Sequence, residues 1–168
     1  MKSETVNKPK VIQYYNDCWL ERFEKGHNPV SLAMHLGYFT DSSVDNDLAK
    51  QNSNEFLAEV LGIPKDKTVH IADFGCGVGG TCLFLARNFP KTRITGINIS
   101  SEQIEFANRA KQRHHINGQI EYFVSDYAAT TLQDAAFDFV IGVESICHAS
   151  DKSKVYHEAF RLLKQGGT

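Results

Sequence analysis

The sequence has little that would place it in a membrane, outside the cell or on nucleic acid. Its longest apolar run, Phe137 to Val143, is interrupted by Asp138 and Gly142, whereas a bilayer-crossing helix needs about 20 apolar residues. No membrane-spanning helix is expected. The four cysteines, Cys18, Cys76, Cys82 and Cys147, form no CxxC pair, and no basic-then-apolar leader with a small-residue cleavage site opens the chain. Free thiols in a reducing, cytoplasmic setting are the expectation. No excess of one charge exists: 18 basic and 20 acidic side chains leave a net charge of −2. Nucleic-acid binding asks for a basic face and is not expected. The histidines lack ligand spacing, since His114 and His115 are adjacent and His148 and His157 stand without partners, so no metal site is expected. Ser145 has no flanking glycine elbow, and a hydrolase is unsupported. Repeats and low-complexity tracts are also missing. What remains is an ordinary mixture of 42% hydrophobic and 23% charged residues over 168 positions. That is about one domain, large enough to bury roughly 70% of its unfolded surface without a disulfide or metal.

The residue pattern divides near position 67. Before it, Val11 to Lys25 carries Tyr14, Tyr15, Trp19 and Phe23 at near-helical spacing and breaks at Gly26 to Pro29. After the polar loop at Asp41 to Ser43, Asp45 or Asn46 can cap a helix that runs to about Leu61. Its apolar side, Leu48, Phe56, Leu57, Val60 and Leu61, is expected to be buried, and Gly62 and Pro64 stop it. From Thr68 strands alternate with helices. Strands are expected at Val69–Phe74, Arg93–Ile99, Gln119–Ser125 and Phe137–Glu144. Helices are expected at Thr81–Phe89, from Ser100 to about His115, and from Ser150 or Asp151 to Lys164, ended by Gly166. Ser100 with Gln103 fits a capping box. Strands joined by helical crossovers imply an α/β fold, a doubly wound, mostly parallel, Rossmann-like sheet. The expected division is an N-terminal helical cap at 1–66 and a cofactor-binding unit at 67–168.

The stretch Ile71-Ala72-Asp73-Phe74-Gly75-Cys76-Gly77-Val78-Gly79-Gly80 sets four glycines between a strand and a helix. Glycine allows tight turns and close ligand approach, and the first amides of the helix offer free N–H donors. A nucleoside-like ligand follows. Gly75-x-Gly77-x-x-Gly80 also fits the dinucleotide fingerprint, but the second strand ends at Asn98 rather than at the acidic residue that would grip the ribose of a nicotinamide cofactor. Asparagine can still exchange hydrogen bonds with ribose hydroxyls.

These residues, with Gly96-Ile97-Asn98-Ile99-Ser100, Phe137-Asp138 through Glu144-Ser145-Ile146-Cys147-His148, and Arg161 to Gly167, resemble class I methyltransferases that use S-adenosylmethionine. Met34-His35-Leu36-Gly37-Tyr38-Phe39, with Tyr14 and Tyr15, is similar to the N-terminal part of the sterol, tocopherol and terpenoid C-methyltransferases, and small-molecule N-methyltransferases share parts of it. The resemblance implies that Asp73, Gly75, Cys76, Gly77 and Gly79 hold the methionine end of the cofactor. Asn98 and Ile99, with Gln103, would hold the ribose, and Ser125, Asp126 and Tyr127 the adenine. Tyr14, His35 and Tyr38 would close over it. Glu144, also against the cofactor, would stabilise a cation or act as base, and His148 would act as base or orient the acceptor. The acceptor implied is a small, lipophilic molecule of prenyl, terpenoid or sterol-like character, methylated most readily at carbon, with small-molecule N- or O-methylation, or a cofactor-binding module without catalysis, as the alternatives. An Asn-Pro-Pro-Tyr type loop, expected where nucleic-acid or glutamine amino groups are methylated, is replaced by Glu144-Ser145-Ile146-Cys147. The family sheet continues beyond Thr168 into strands missing from this sequence, so the fourth strand is expected to offer an open edge for homo-oligomers or strand exchange.

Overall fold

A computed structural model describes residues 8–17, 31–116 and 119–168. The element order is α1 (Lys8–Asp17), α2 (Asn46–Leu61), β1 (Val69–Phe74), α3 (Gly80–Asn88), β2 (Thr92–Asn98), α4 (Ser101–Arg113), β3 (Ile120–Val124), β4 (Phe139–Ile141), a 3-10 turn (Ile146–His148) and α5 (Lys152–Leu162). The four strands form one parallel sheet in the order β3-β2-β1-β4. The chain winds outward from β1 through β2 to β3, then returns to place β4 on the other side of β1. That reversal opens a crevice at the carboxyl ends of β1 and β4, where open α/β sheets receive ligands.

Both sheet faces are covered. Ile71, Ile94, Ile120 and Ile141 share one core with Val78, Cys82, Leu83 and Leu85 of the glycine loop and α3, and with Ile104 of α4. The opposite face is thinner, with Ala72, Phe74, Ile97 and Phe137 packed on Val155 and Leu162 of α5. Fully buried parallel strands explain why β1 reads as a near-continuous apolar run. Helix ends follow local chemistry. Asp45 accepts from the Leu48 N–H at 2.8 Å, Gly62 turns the end of α2 in the left-handed region, and Asp151 accepts from the Lys154 N–H at 3.3 Å.

Several expectations change in three dimensions. Helix α1 is described only to Asp17, and Cys18, Trp19 and Phe23 lie outside the described residues. The apolar side expected of α2 is split: Leu57 and Leu61 pack against the core, but Leu48 is 46%, Phe56 54% and Val60 67% exposed, while Asp47, Lys50 and Asn54 are buried. Tertiary hydrogen bonds decide this orientation. Asp47 accepts from the Ser31 N–H, and Asn54 accepts from the Thr81 hydroxyl at 2.9 Å, so partnered polar groups share the inner side of the helix with Ala49 and Ala58. Only half of the expected capping box forms. Ser100 accepts from the Gln103 N–H, but the Gln103 side chain turns to accept from Asn98 Nδ2 at 2.6 Å. Strand β4 is three residues long, and α5 ends at Leu162 because Leu163 is drawn into a parallel bridge with Phe137. The outer edge of β4, expected to be open, carries backbone bonds to Thr168, whose N–H donates to Asp138 O and whose carbonyl accepts from the Val140 N–H.

Candidate functional site

At the carboxyl edge of the sheet a cavity of about 420 Å³ is lined by Lys8, Val11 and Tyr15 of α1, the Met34-His35 segment, Gly75 and Gly77, and Asn98, Ile99 and Gln103. Asp126 and Tyr127 after β3, and Glu144, Ser145 and His148 after β4, close the far side. A smaller hollow of about 50 Å³ adjoins it beneath the glycine loop and includes Asp73 and Cys76.

The loop after β1 requires its glycines where other chains approach. Gly75 has φ +79°, and a Cβ there would lie 2.3 Å from Ser145 Cβ. Gly79, at φ +86°, is backed by the Tyr122 ring, whose hydroxyl would lie 2.2 Å from an added Cβ. The loop is therefore pressed between the segment after β4 and the Tyr122 side chain of β3, and its Gly75 and Cys76 amides turn back to donate to the Ile97 carbonyl at 2.7 and 3.1 Å. Beneath it Asp73 is fully buried and accepts from Cys82 Sγ at 3.2 Å. Loss of water pushes its carboxyl up to about 6. Burial raises the Cys76 thiol as well, so it is a packing thiol in the ground state.

At the end of β2 the Asn98 and Gln103 amides bond to each other and are both buried. Gln103 Nε2 has no hydrogen-bond partner among the described residues. A buried, orphaned donor at a cavity wall is costly unless a bound molecule accepts from it. Across the cavity Asp126 accepts from the Ala128 N–H and pairs with Lys8. Tyr127 stacks on Phe74 with ring centroids 5.7 Å apart and donates its hydroxyl to the Ser145 carbonyl at 3.0 Å. Burial pushes its phenol up to about 12, so it remains a donor at neutral pH.

Glu144 adopts φ +51°, an unusual backbone state for glutamate. The following Ser145 donates its hydroxyl to the Phe74 carbonyl, fixing the turn to the end of β1. Glu144 Oε1 accepts from the Leu36 N–H at 2.9 Å, which ties it to the N-terminal segment. That segment is itself clamped on α2: the Tyr38 N–H donates to Ala49 O, and the Ser53 hydroxyl donates to Leu36 O. His35 donates from Nδ1 to the Leu36 carbonyl and meets the Asn54 amide at Nε2.

The structure thus brings His35, Gly75, Gly77, Asn98, Ile99, Gln103, Asp126, Tyr127, Glu144 and His148 around one cavity. Asp73 and Cys76 stand in the adjoining hollow, while Gly79 and Ser125 support the rim without lining it. Tyr14 and Tyr38 are not on the wall. Tyr14 packs edge-on against Tyr15, and Tyr38 stacks on Phe56 on the outer side. Sequence reasoning missed Lys8, Tyr15, Met34 and Ser145 as wall residues. The aromatic side of α1 was a signal for Tyr15, but adjacent tyrosines on a helix point about 100° apart, and which one faces the cavity depends on docking.

Against known proteins, residues 72–168 match the family described as a methyltransferase domain. The chain is 37% identical over 113 residues to sterol 24-C-methyltransferase erg-4 of Neurospora crassa, covering 67% of this chain and 29% of that protein. It is 32% identical over 142 residues to ajmaline N-methyltransferase of Rauvolfia serpentina, covering 80% and 48%. The chain therefore spans less than half the length of either of these relatives. Among solved structures, the cyclase SpnF superposes with a TM-score of 0.83 at 25% identity, over 94% of this chain and 57% of that one. A geranyl diphosphate methyltransferase solved with geranyl diphosphate and sinefungin gives 0.83 at 22% identity, over 95% and 63%, a likeness of fold. The glycine loop, the Asn98–Gln103 pair and the match over more than half its length place this chain in the class I S-adenosylmethionine-dependent methyltransferases, with sterol 24-C-methyltransferases among its relatives.

Proposed function

We propose that the chain binds S-adenosylmethionine in this cavity and supports methyl transfer to a small, lipophilic acceptor of prenyl, terpenoid or sterol-like character, at carbon. The observation that carries the reading is the orphaned Gln103 Nε2 beside Asn98, at the end of β2, on the cavity that Gly75 and Gly77 of the glycine loop also line. In this reading the loop Gly75–Gly79 and Asp73 hold the methionine end, Asn98, Ile99 and Gln103 the ribose, and Ser125, Asp126 and Tyr127 the adenine. Residues 1–66 form the covering segment over the cofactor unit at 67–168. When bound, the cofactor supplies an electrophilic methyl group on a sulfonium.

The protein's part is alignment and exclusion of water, and orientation of this kind is worth roughly 7 to 11 kcal/mol of barrier. Attack by an alkene would leave positive charge on the acceptor. The Glu144 carboxylate, fixed by the Leu36 N–H, is placed to stabilise that charge or take the proton, with the aromatic Tyr15 on the same cavity wall. Methylation at nitrogen is the second reading, favoured by the similarity to ajmaline N-methyltransferase.

Calorimetric titration with S-adenosylhomocysteine, and with NAD as control, tests the assignment. Micromolar binding of the former alone is expected, and Gly77→Val should abolish it. Glu144→Gln should retain binding while methyl transfer to a prenyl and sterol panel falls at least 100-fold. Binding of NAD alone would overturn the reading, and undiminished turnover in Glu144→Gln would remove that carboxylate from it.

A further inference from the structure

Within the segment from Glu144 to His148, Glu144 and Ser145 are tied to the fold by contacts that leave the imidazole untouched. Glu144 is held by the Leu36 N–H, and Ser145 by the Phe74 carbonyl and the Tyr127 hydroxyl. The His148 backbone N–H donates to Ser145 O at 3.1 Å. The ring is held by Tyr15 alone among the described residues. The phenol oxygen lies 2.8 Å from His148 Nε2, and the two rings meet edge to face with centroids 5.5 Å apart. Both residues line the cavity, and Nδ1 has no protein partner among the described residues.

A neutral imidazole carries one N–H, and the partner of one nitrogen decides the role of the other. Partial burial raises the Tyr15 phenol, which therefore keeps its proton through the neutral range. A neutral phenol is a stronger donor than acceptor, and imidazole nitrogen is a stronger acceptor than phenol oxygen. The favoured bond thus runs from Tyr15 O–H to His148 Nε2, which puts the ring proton on Nδ1.

We propose that Tyr15 is a positioning residue that locks His148 in its Nδ1–H form, so that His148 offers the acceptor a hydrogen-bond donor and Glu144 remains the proton acceptor. The inference rests on the functional reading above and settles a division of labour which that reading leaves open. It also joins α1 to the chemistry. No residue of that helix is buried, and its described polar ties to the body are Lys8 to Asp126, Asn16 to Ser100 and Tyr15 to His148. Seating α1 therefore sets the protonation pattern of the site at the moment it covers the cavity.

The test is nitrogen-15 NMR of the 168-residue chain carrying ring-labelled histidine, at a pH where the imidazoles are neutral. His148 is assigned by the signals that vanish in His148→Gln. The expected spectrum has the His148 proton on Nδ1, and in Tyr15→Phe the population shifts toward Nε2–H, the form ordinarily preferred in water. A wild-type ring protonated at Nε2 overturns the proposal, as does a Tyr15→Phe spectrum identical to wild type in a variant that still folds. The wild-type measurement decides on its own if Tyr15→Phe does not fold. Since no turnover is involved, failure of S-adenosylhomocysteine binding in a parallel titration would count against the functional reading, and the tautomer result would stand apart from it.

Discussion

Asp73 shows how one buried carboxyl is set against the fold that contains it. Its ordinary value near 3.8 is pushed up to about 6 by burial, so the folded chain holds this proton more tightly than the unfolded one. Stability therefore falls as pH rises from about 4 to about 6, and the full cost, up to about 3 kcal/mol, is present above that range. Asp73→Asn is expected to raise the free energy of unfolding by about 1–3 kcal/mol at pH 7.5 and to add little at pH 4, while weakening S-adenosylhomocysteine binding at least tenfold. Denaturant titrations at both pH values and calorimetry check it; an equal gain at both would exclude ionisation as the cause. Gly75 makes the complementary point about backbone. Gly75→Ala meets both φ +79° and a contact at 2.3 Å, whereas Gly62→Ala meets φ +62° with nothing within 4 Å. The second should cost about 1–2 kcal/mol, the conformational penalty alone. The first should exceed it by about 1–3 kcal/mol of overpacking and should lose ligand affinity. Glycine clustering and the aspartate before it were readable in the residue string, but the collision partner, Ser145, is 70 positions away and appears only on folding.

At the scale of elements, α2 is the clearest departure from pattern. Its periodicity predicted an inward apolar side, yet Asn54 is 1% exposed and Val60 67%. Asn54→Leu is expected to destabilise the fold by about 2 kcal/mol or more, since the Thr81 hydroxyl and the His35 ring lose their partner. Val60→Lys should stay within about 0.5 kcal/mol. Thermal melts of the two variants would reverse in order if the apolar side were the buried one. Helix α5 supplies a second test. Glu158 accepts from the Thr130 N–H at 2.7 Å and from Arg161, whose hydrogen bonds hold its carboxyl down to about 2. A depressed carboxyl stabilises the fold above its ordinary value of 4.5 and loses that contribution as pH falls toward 2. Glu158→Gln should therefore cost about 1–3 kcal/mol at pH 7 and progressively less below pH 4, as measured by unfolding at several pH values. The helix itself, with its Asp151 cap, was legible; the clamp on the loop after β3 was not, because Thr130 and Glu158 meet only across the fold.

For the whole molecule, the energy of folding and the closure of the site are carried by different parts. The core lies on the two faces of the sheet, while α1 buries no residue. Gln13→Pro, at an exposed position within α1, should break that helix and leave unfolding of the body within about 0.5 kcal/mol of wild type. Its affinity for S-adenosylhomocysteine should fall severalfold, through faster release in a stopped-flow chase. A large drop in melting temperature would show instead that α1 belongs to the cooperative core. The sequence by itself determined the alternation of strand and helix, the glycine loop, the Asn98 departure from an acidic strand end and the Glu144–His148 stretch, because each is a local pattern of propensity, turn chemistry and spacing. Tertiary structure alone decided which side of α2 is buried, which tyrosine reaches the cavity and what holds Glu144 and His148. Those outcomes depend on partners such as Leu36 and Tyr15, brought more than 100 residues along the chain by the crossing of β4 back to β1.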